Sequence, residues 1–376
     1  MTPAASLSKL RSDFSRLGWN RKATGRVLGQ LAIHVTLMVG GSLLFFMGHG
    51  FWWCALGAIV CSAGALGVAT NSHTSSHHGT SSSRKVNEWL TYFGYPFCLG
   101  FSATYWWFDH VGSHHTSPNV LGVDDDFDFA PMFVITETQM NAATGWKRRY
   151  YESFQWAVLL CTMPMLGVGL QKNGWLHIFG TFRKGAQNKK KFVIDVIAML
   201  LHFAVFIVLP ALFFGWGAAL GLYGIRLAVM SVCLFAILSP AHFGTEAPVL
   251  TEEEAGTLDY VQLQTMTTMN YDGGPVVRWF ASGLDFQIEH HLFPDVSHVN
   301  YPRIQPLVKD FCRENGLLYR SYGFGKALKS AFDVFLTPKP VGLHTAPQFV
   351  AESEESIVDD LADASIAAVP IVSHGD

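Results

Sequence analysis

Residues 27–83 read VLGQLAIHVTLMVGGSLLFFMGHGFWWCALGAIVCSAGALGVATNSHTSSHHGTSSS and contain no Asp, Glu, Lys or Arg. A bilayer core needs about 20 apolar residues per helix. This stretch is long enough for two such helices, expected near 29–48 and 51–70, with a tight turn at Gly48-His49-Gly50. It does not read as a signal peptide, because the basic region before it is long and the apolar run continues into a second span.

A second apolar block begins after the basic run Arg183, Lys184, Lys189, Lys190 and Lys191 and continues to about Ile237. It divides into spans near 192–213 and 222–241, with the Gly-rich link at 215–224 as the outer turn. Arg226 is then expected near the outer interface, where a long side chain can snorkel. Two further stretches, 89–108 and 153–170, are apolar enough to be spans by hydropathy alone but read as interfacial or re-entrant. The whole chain agrees with a membrane protein: 376 residues, 49% apolar and 15% charged, against about 25% charged in soluble domains. A net charge of −3 and the lack of an aromatic-basic stripe argue against nucleic acid as a partner. The six cysteines are scattered and form no C-x-x-C, so they read as small buried apolar residues.

Lys and Arg concentrate before the first span, in a basic segment 1–26, and between the second and third spans. The positive-inside rule makes both segments cytoplasmic, and four spans return the C-terminus to the same side. The expected organisation is a basic segment 1–26, a membrane catalytic unit 27–338 and a tail 339–376. The last 26 residues hold seven acids and no Lys or Arg, and read as solvated and disordered.

Eight of the sixteen histidines fall in three short clusters. NSHTSSHHG carries His73, His77 and His78; FDHVGSHH carries His110, His114 and His115; QIEHHLFP carries His290 and His291. Histidines four apart share one face of a helix. With the topology above, every cluster and the isolated His242 fall on one side of the membrane, at the ends of spans, and can converge. This is why 89–108 is kept interfacial: a crossing there would put the first two clusters on opposite sides. One structural zinc takes four ligands, so eight or nine histidines suffice for two ions. A cysteine-free imidazole site at a membrane surface suits iron and O2 chemistry, although ligand type alone leaves iron and zinc both open.

The three clusters resemble the H-x-x-x-H, H-x-x-x-H-H and Q-x-x-H-H boxes of the membrane fatty acid desaturase superfamily. Asn87, Trp106-Trp107, HHTSPNVLGVDDD with Asn119, Asp124 and Asp126, and QTMTTMN leading into FASGLDFQIEHHLFP match too, so the resemblance covers about 30–325. It implies an all-α integral membrane protein with four transmembrane helices, interfacial helices and a cytoplasmic helical cap carrying the boxes. It implies two non-haem iron ions held by His73, His77, His110, His114, His115, His242, His290 and His291. Gln287 stands where some relatives carry another histidine; with His78, Glu289 and Asn270 it is a possible ligand or ligand-orienting residue. Thr74 departs from the family, which often has Asp there. The implied reaction inserts a C=C bond into a long acyl chain with O2. No HPGG haem motif occurs, so a separate ferredoxin or cytochrome is expected to bring electrons to the cytoplasmic face of a bacterial inner membrane, taken in preference to the endoplasmic reticulum. The QIEHH form resembles front-end and acyl-lipid or linoleoyl-CoA enzymes.

Other readings compete. The same site could hydroxylate lipid or alkyl chains or oxidise sphingolipids. A zinc hydrolase lacks its motif, since neither H-E-x-x-H nor H-x-x-E-H occurs. A metal transporter would place ligands near the bilayer midplane, where only His34 and His202 lie. His34, His49, His177 and His202 read as satisfied core residues, and His298, His344 and His374 as surface or tail. The acidic run Asp124, Asp125, Asp126 and Asp128 could bind a hard cation, but reads as a solvated loop or as partners for nearby Arg and Lys.

Overall fold

The computed structural model describes residues 3–126, 129–186 and 188–343. Four helices are long and apolar enough to cross a membrane: Thr24–Met47, Phe51–Ser76, Lys189–Phe214 and Trp216–His242. The first two form a hairpin whose turn carries Gly50 in the left-handed region. The helix starting at Phe51 continues to Ser76, so the first histidine cluster extends the second span directly, and every residue from Gly64 to Ser76 is buried. Its other end is apolar and bare: Phe51, Trp52 and Ile59 are exposed. That gradient is what a helix leaving lipid for a protein interior should show.

The turn before the fourth span is shorter than expected. Only Gly215, with φ 85, breaks the helix, and Trp216 already starts the next one. Arg226 is therefore deep in that helix and buried, and does not snorkel. Its guanidinium lies over the rings of Phe206 (5.0 Å) and Tyr223 (4.9 Å). Cation–π contact replaces the water it would have found at an interface.

Residues 89–108 form no continuous helix. Arg84–Tyr92 runs into a wide π-wound segment, Phe93–Leu99, that contains Pro96, and the chain breaks at Gly100 (φ 72). Further on, Gln155–Lys184 meets Gly145–Ser153 at 68°. Two short parallel strands, Asn270–Asp272 and Ser321–Gly323, pair with Asn270 opposite Ser321.

The body of the protein extends past residue 338. Lys339 N–H bonds Ile135 O (2.9 Å) and its carbonyl accepts from Glu137 N (2.9 Å). The Lys339 ammonium donates to the carbonyls of Phe243 (3.1 Å), Gly244 (3.0 Å) and Ala247 (2.6 Å). A buried lysine head group thus satisfies carbonyls in the turn just beyond the end of the fourth span. His344, His374 and the acidic run of the tail lie outside the described residues.

Candidate metal centre

Each histidine cluster is set by a different local device. The turn after the first is tied by Asn87, whose Oδ1 accepts from Thr80 N (3.1 Å) and Ser81 N (3.0 Å) and whose Nδ2 donates to Ser83 O (3.0 Å). The second lies on Ala103–Trp106 and its π-wound continuation Trp107–His114; such widened turns recur at functional sites. Its start is held by Asp195 of the third span, which accepts from Ser102 Oγ (2.7 Å), Ala103 N (2.9 Å) and Thr104 N (2.9 Å). A carboxylate on free N–H groups at a helix start stabilises that start. The third cluster lies on Gln287–Leu292, buried throughout.

The eight histidines assemble into two groups, with ligand-capable atoms within 4.8 Å of one another in each. His73, His77, His110, His115 and His290 make one; His114, His242 and His291 make the other. Each His-His doublet is shared. His115 and His290 go to the five, His114 and His291 to the three. Consecutive helical residues point about 100° apart, so a doublet can feed two neighbouring centres.

The Nε2 atoms of His73 and His110 lie 2.9 Å apart, and those of His115 and His290 3.0 Å apart. With metal–imidazole bonds of about 2.1 Å, ligands at right angles would sit about 3.0 Å apart. The ring protons can be assigned for several members. Asp126 accepts from His110 Nδ1 (3.1 Å) and Asp124 from His114 Nδ1 (2.9 Å). Gln264 Oε1 accepts from His291 Nδ1 (2.7 Å). Tyr301 gives its hydroxyl proton to Phe293 O (3.3 Å) and so accepts from His290 Nδ1 (3.2 Å). In the neutral form each of the four rings leaves its Nε2 lone pair as the free ligand position. His77 Nε2 and His291 Nε2 are buried with no partner, a costly state that an ion relieves. The donor set therefore fits a pair of metal ions.

Electrostatics agree. Burial, then the neighbouring histidines, hold His110, His115, His290 and His291 well below the usual imidazole range, and His77 falls to about 3. Neutral rings are what a metal requires. His114 differs: burial lowers it, but Asp124, Asp126 and Asp109 outweigh that and raise it to about 9.

The remaining candidates sort clearly. Gln287 is buried and lines the cavity beside the groups, as does His242. His78, left-handed at φ 60, belongs to neither group. Asn270 and Glu289 do not reach a histidine. Asn270 Nδ2 donates to Glu289 (2.8 Å) and Tyr319 (2.9 Å), its Oδ1 accepts from Ile288 N (2.9 Å), and Tyr319 also donates to Glu289 (2.8 Å). They brace the backbone of the third-cluster helix. Burial pushes the Glu289 carboxyl up to about 7.

Several expectations need correction. Asp124 and Asp126 are ring-orienting partners, not a solvated loop; Asp125 is exposed and Asp128 lies outside the described residues. Gln264 and Tyr301 went unnoticed as such partners. His298 is buried, accepting from Thr74 Oγ1 (2.7 Å) and donating to Gln30 Oε1 (2.7 Å). Thr74 thus supports a second histidine layer in place of the family's acid. His202 is satisfied by Phe97 O and Tyr223 OH, whereas His34 is buried with both nitrogens unpaired and His49 is exposed.

An apolar cavity adjoins the groups, lined by His73, His110, His114, His242 and His290 at one end and by Phe101, Leu166, Leu170, Leu234 and Leu238 beyond.

A family model described as fatty acid desaturase matches residues 14–323. An acyl-lipid (7-3)-desaturase of Chlamydomonas reinhardtii is 30% identical over 71% of this chain and 52% of its own length. A Delta(5) fatty acid desaturase of Caenorhabditis elegans is 28% identical over 66% and 55%, and an sn-1 linoleoyl-lipid 6-desaturase of Arthrospira platensis 27% identical over 71% and 73%. The chain spans about half the length of the first two. Three histidine clusters in order, beside four apolar helices long enough to cross a membrane, with the match running across most of the sequence, lead to one assignment: the chain belongs to the fatty acid desaturase family.

Proposed function

We propose that the protein is an O2-dependent desaturase that holds two non-haem iron ions and introduces a C=C bond into a long acyl chain on a lipid or CoA carrier. One observation carries this reading: eight buried histidines, divided five and three, with ligand-capable ring nitrogens gathered beside an apolar cavity. The five-histidine group would hold one iron and the three-histidine group the other. When bound, the pair supplies the O2-derived oxidising power that no side chain has.

The chain's own residues do the rest. Asp124, Asp126, Gln264 and Tyr301 fix which ring nitrogen carries the proton. Leu166, Leu170, Leu234 and Leu238 give an extended hydrocarbon an apolar bed and exclude water from the reacting carbons. Gln287, on the cavity wall with His242, adds a polar group beside the three-histidine group. The relatives' names support an acyl-lipid or front-end reaction, in which the new bond lies between an existing double bond and the carboxyl end. We place the termini and the histidine clusters on the cytoplasmic side, and segments 89–108 and 153–170 at the interface; the basic residues flanking the spans support this. Electrons would come from a separate ferredoxin or cytochrome.

The test is expression in a host of known fatty-acid composition, with gas-chromatographic profiling and metal analysis of the purified protein. A new double bond, together with two irons per chain, is expected. An added hydroxyl without a double bond would favour a hydroxylase. Full zinc occupancy without iron-dependent activity would end the iron reading.

A further inference from the structure

The histidine groups can be approached from two sides. The apolar cavity is one. The other is an open groove of about 950 Å³ that runs along the surface to Ser76 and His77. Among the described residues none lines both. The π-wound segment Trp107–His114 separates them: His110 and His114 face the cavity, and Trp107, Phe108 and Val111 face the groove. A head group attached to a chain in the cavity would share wall with it, so the groove is not a continuation of that path.

The groove has a basic rim and an aromatic floor. Arg84, Lys184 and Lys191 line it, and Lys189 and Lys190 stand exposed beside it. Glu88 is close, but it is already engaged by Arg84 (3.2 Å) and Lys191 (2.8 Å). On the floor, the Lys191 ammonium sits 4.6 Å from the Trp107 ring, and Trp107 Nε1 donates to Ser76 O (3.2 Å). Its neighbour Trp106 stacks on His110 at 4.2 Å and donates to Ser76 Oγ (3.1 Å). A continuous packed route therefore joins the groove to the five-histidine group.

We infer that this groove is the docking face for a soluble, acidic one-electron redox protein. The inference rests on the O2-dependent reading above. There, reduction of one O2 to two waters takes four electrons and four protons. The acyl chain, losing two hydrogens, supplies two of each, and solvent supplies the other two protons. The remaining two electrons arrive in two dockings, each oxidising the partner by one electron. Charge complementarity selects the partner: an acidic surface is drawn to the lysine rim, and its affinity falls with salt.

The experiment uses the full chain in detergent, with a plant-type [2Fe–2S] ferredoxin as probe and phosphatidylglycerol vesicles as competitor. The groove variant is Lys184→Glu with Lys190→Glu; the control is Lys309→Glu with Arg313→Glu on the distant helix Tyr301–Glu314. Metal content must match wild type in both. Ferredoxin Kd should rise about tenfold or more in the groove variant only, and should weaken with salt. Equal Kd in groove variant and control overturns the inference. So does a groove variant that loses vesicle binding but keeps ferredoxin affinity, because the rim would then be a lipid contact. Dithionite-driven single turnover of wild type separates the two readings: product with no groove dependence of ferredoxin binding sinks the docking face alone, and no product at all sinks the desaturase reading and this one with it.

Discussion

The five-histidine group and the three-histidine group lie side by side and share two doublets, yet they are built differently. The larger has two Nε2–Nε2 approaches of 2.9 and 3.0 Å and draws on all three clusters. The smaller draws on the second and third clusters and the end of the fourth span. Its supports are stronger per ring: Asp124 under His114 and Gln264 under His291. Closed ligand sets suit structure, and sets with open positions suit chemistry. On the proposed two-ion reading, an ion held by the three histidines would have the fewer ligands and be the more easily lost.

The largest expected effect tests that contrast directly. His291→Ala should remove the ion from the smaller group, halve the metal content and abolish product, while the protein still inserts. His77→Ala leaves four ligands in the larger group and should keep more of its metal. Elemental analysis beside fatty-acid profiles checks both; equal metal loss would erase the distinction. Asp124→Asn comes next. This carboxylate holds His114 Nδ1, Asn119 N (2.8 Å) and Asp126 N (3.1 Å), and its loss should cost about 10–100-fold in metal affinity or activity. Asp126→Asn should cost less, since Asp126 holds one ring and is partly exposed. Gln264→Leu should lower metal affinity about tenfold, seen as earlier release to a chelator. The smallest effect is Tyr319→Phe, which removes the hydrogen bond to Glu289 and the one from Asn270 behind the third cluster. It should lower stability by about 1 kcal/mol, with metal content unchanged.

Much of the site was legible in the sequence because its signals are local. Histidines spaced by four at the end of a charge-free run identify themselves, and the run itself gives the first hairpin. The division into five and three was not legible, because it depends on how Trp107–His114 is wound. Nor were the ring partners: Gln264 is 27 residues from His291 and meets it only after folding. Asp124 and Asp126 looked like a solvated acidic loop because a run of acids carries no sign of what it faces. Arg226 was misplaced for a related reason. The glycines at 217, 221 and 224 suggested a turn, but apolar surroundings hold them in a helix, where each missing internal hydrogen bond would be expensive.

The first two spans meet backbone to backbone. A Cβ on Gly64 would lie 2.2 Å from Met38 N, and one on Gly41 2.3 Å from Cys61 N. Such a seam is how small residues let membrane helices close on each other. A seam this close leaves no room for a hydrocarbon tail between the two helices, so on the proposed reading the hairpin would stay fixed while a chain entered. Any leaf that swings to admit an acyl chain sideways from the bilayer has to be hung on the far wall of the cavity, where the fourth span and the helix of Leu166 and Leu170 meet.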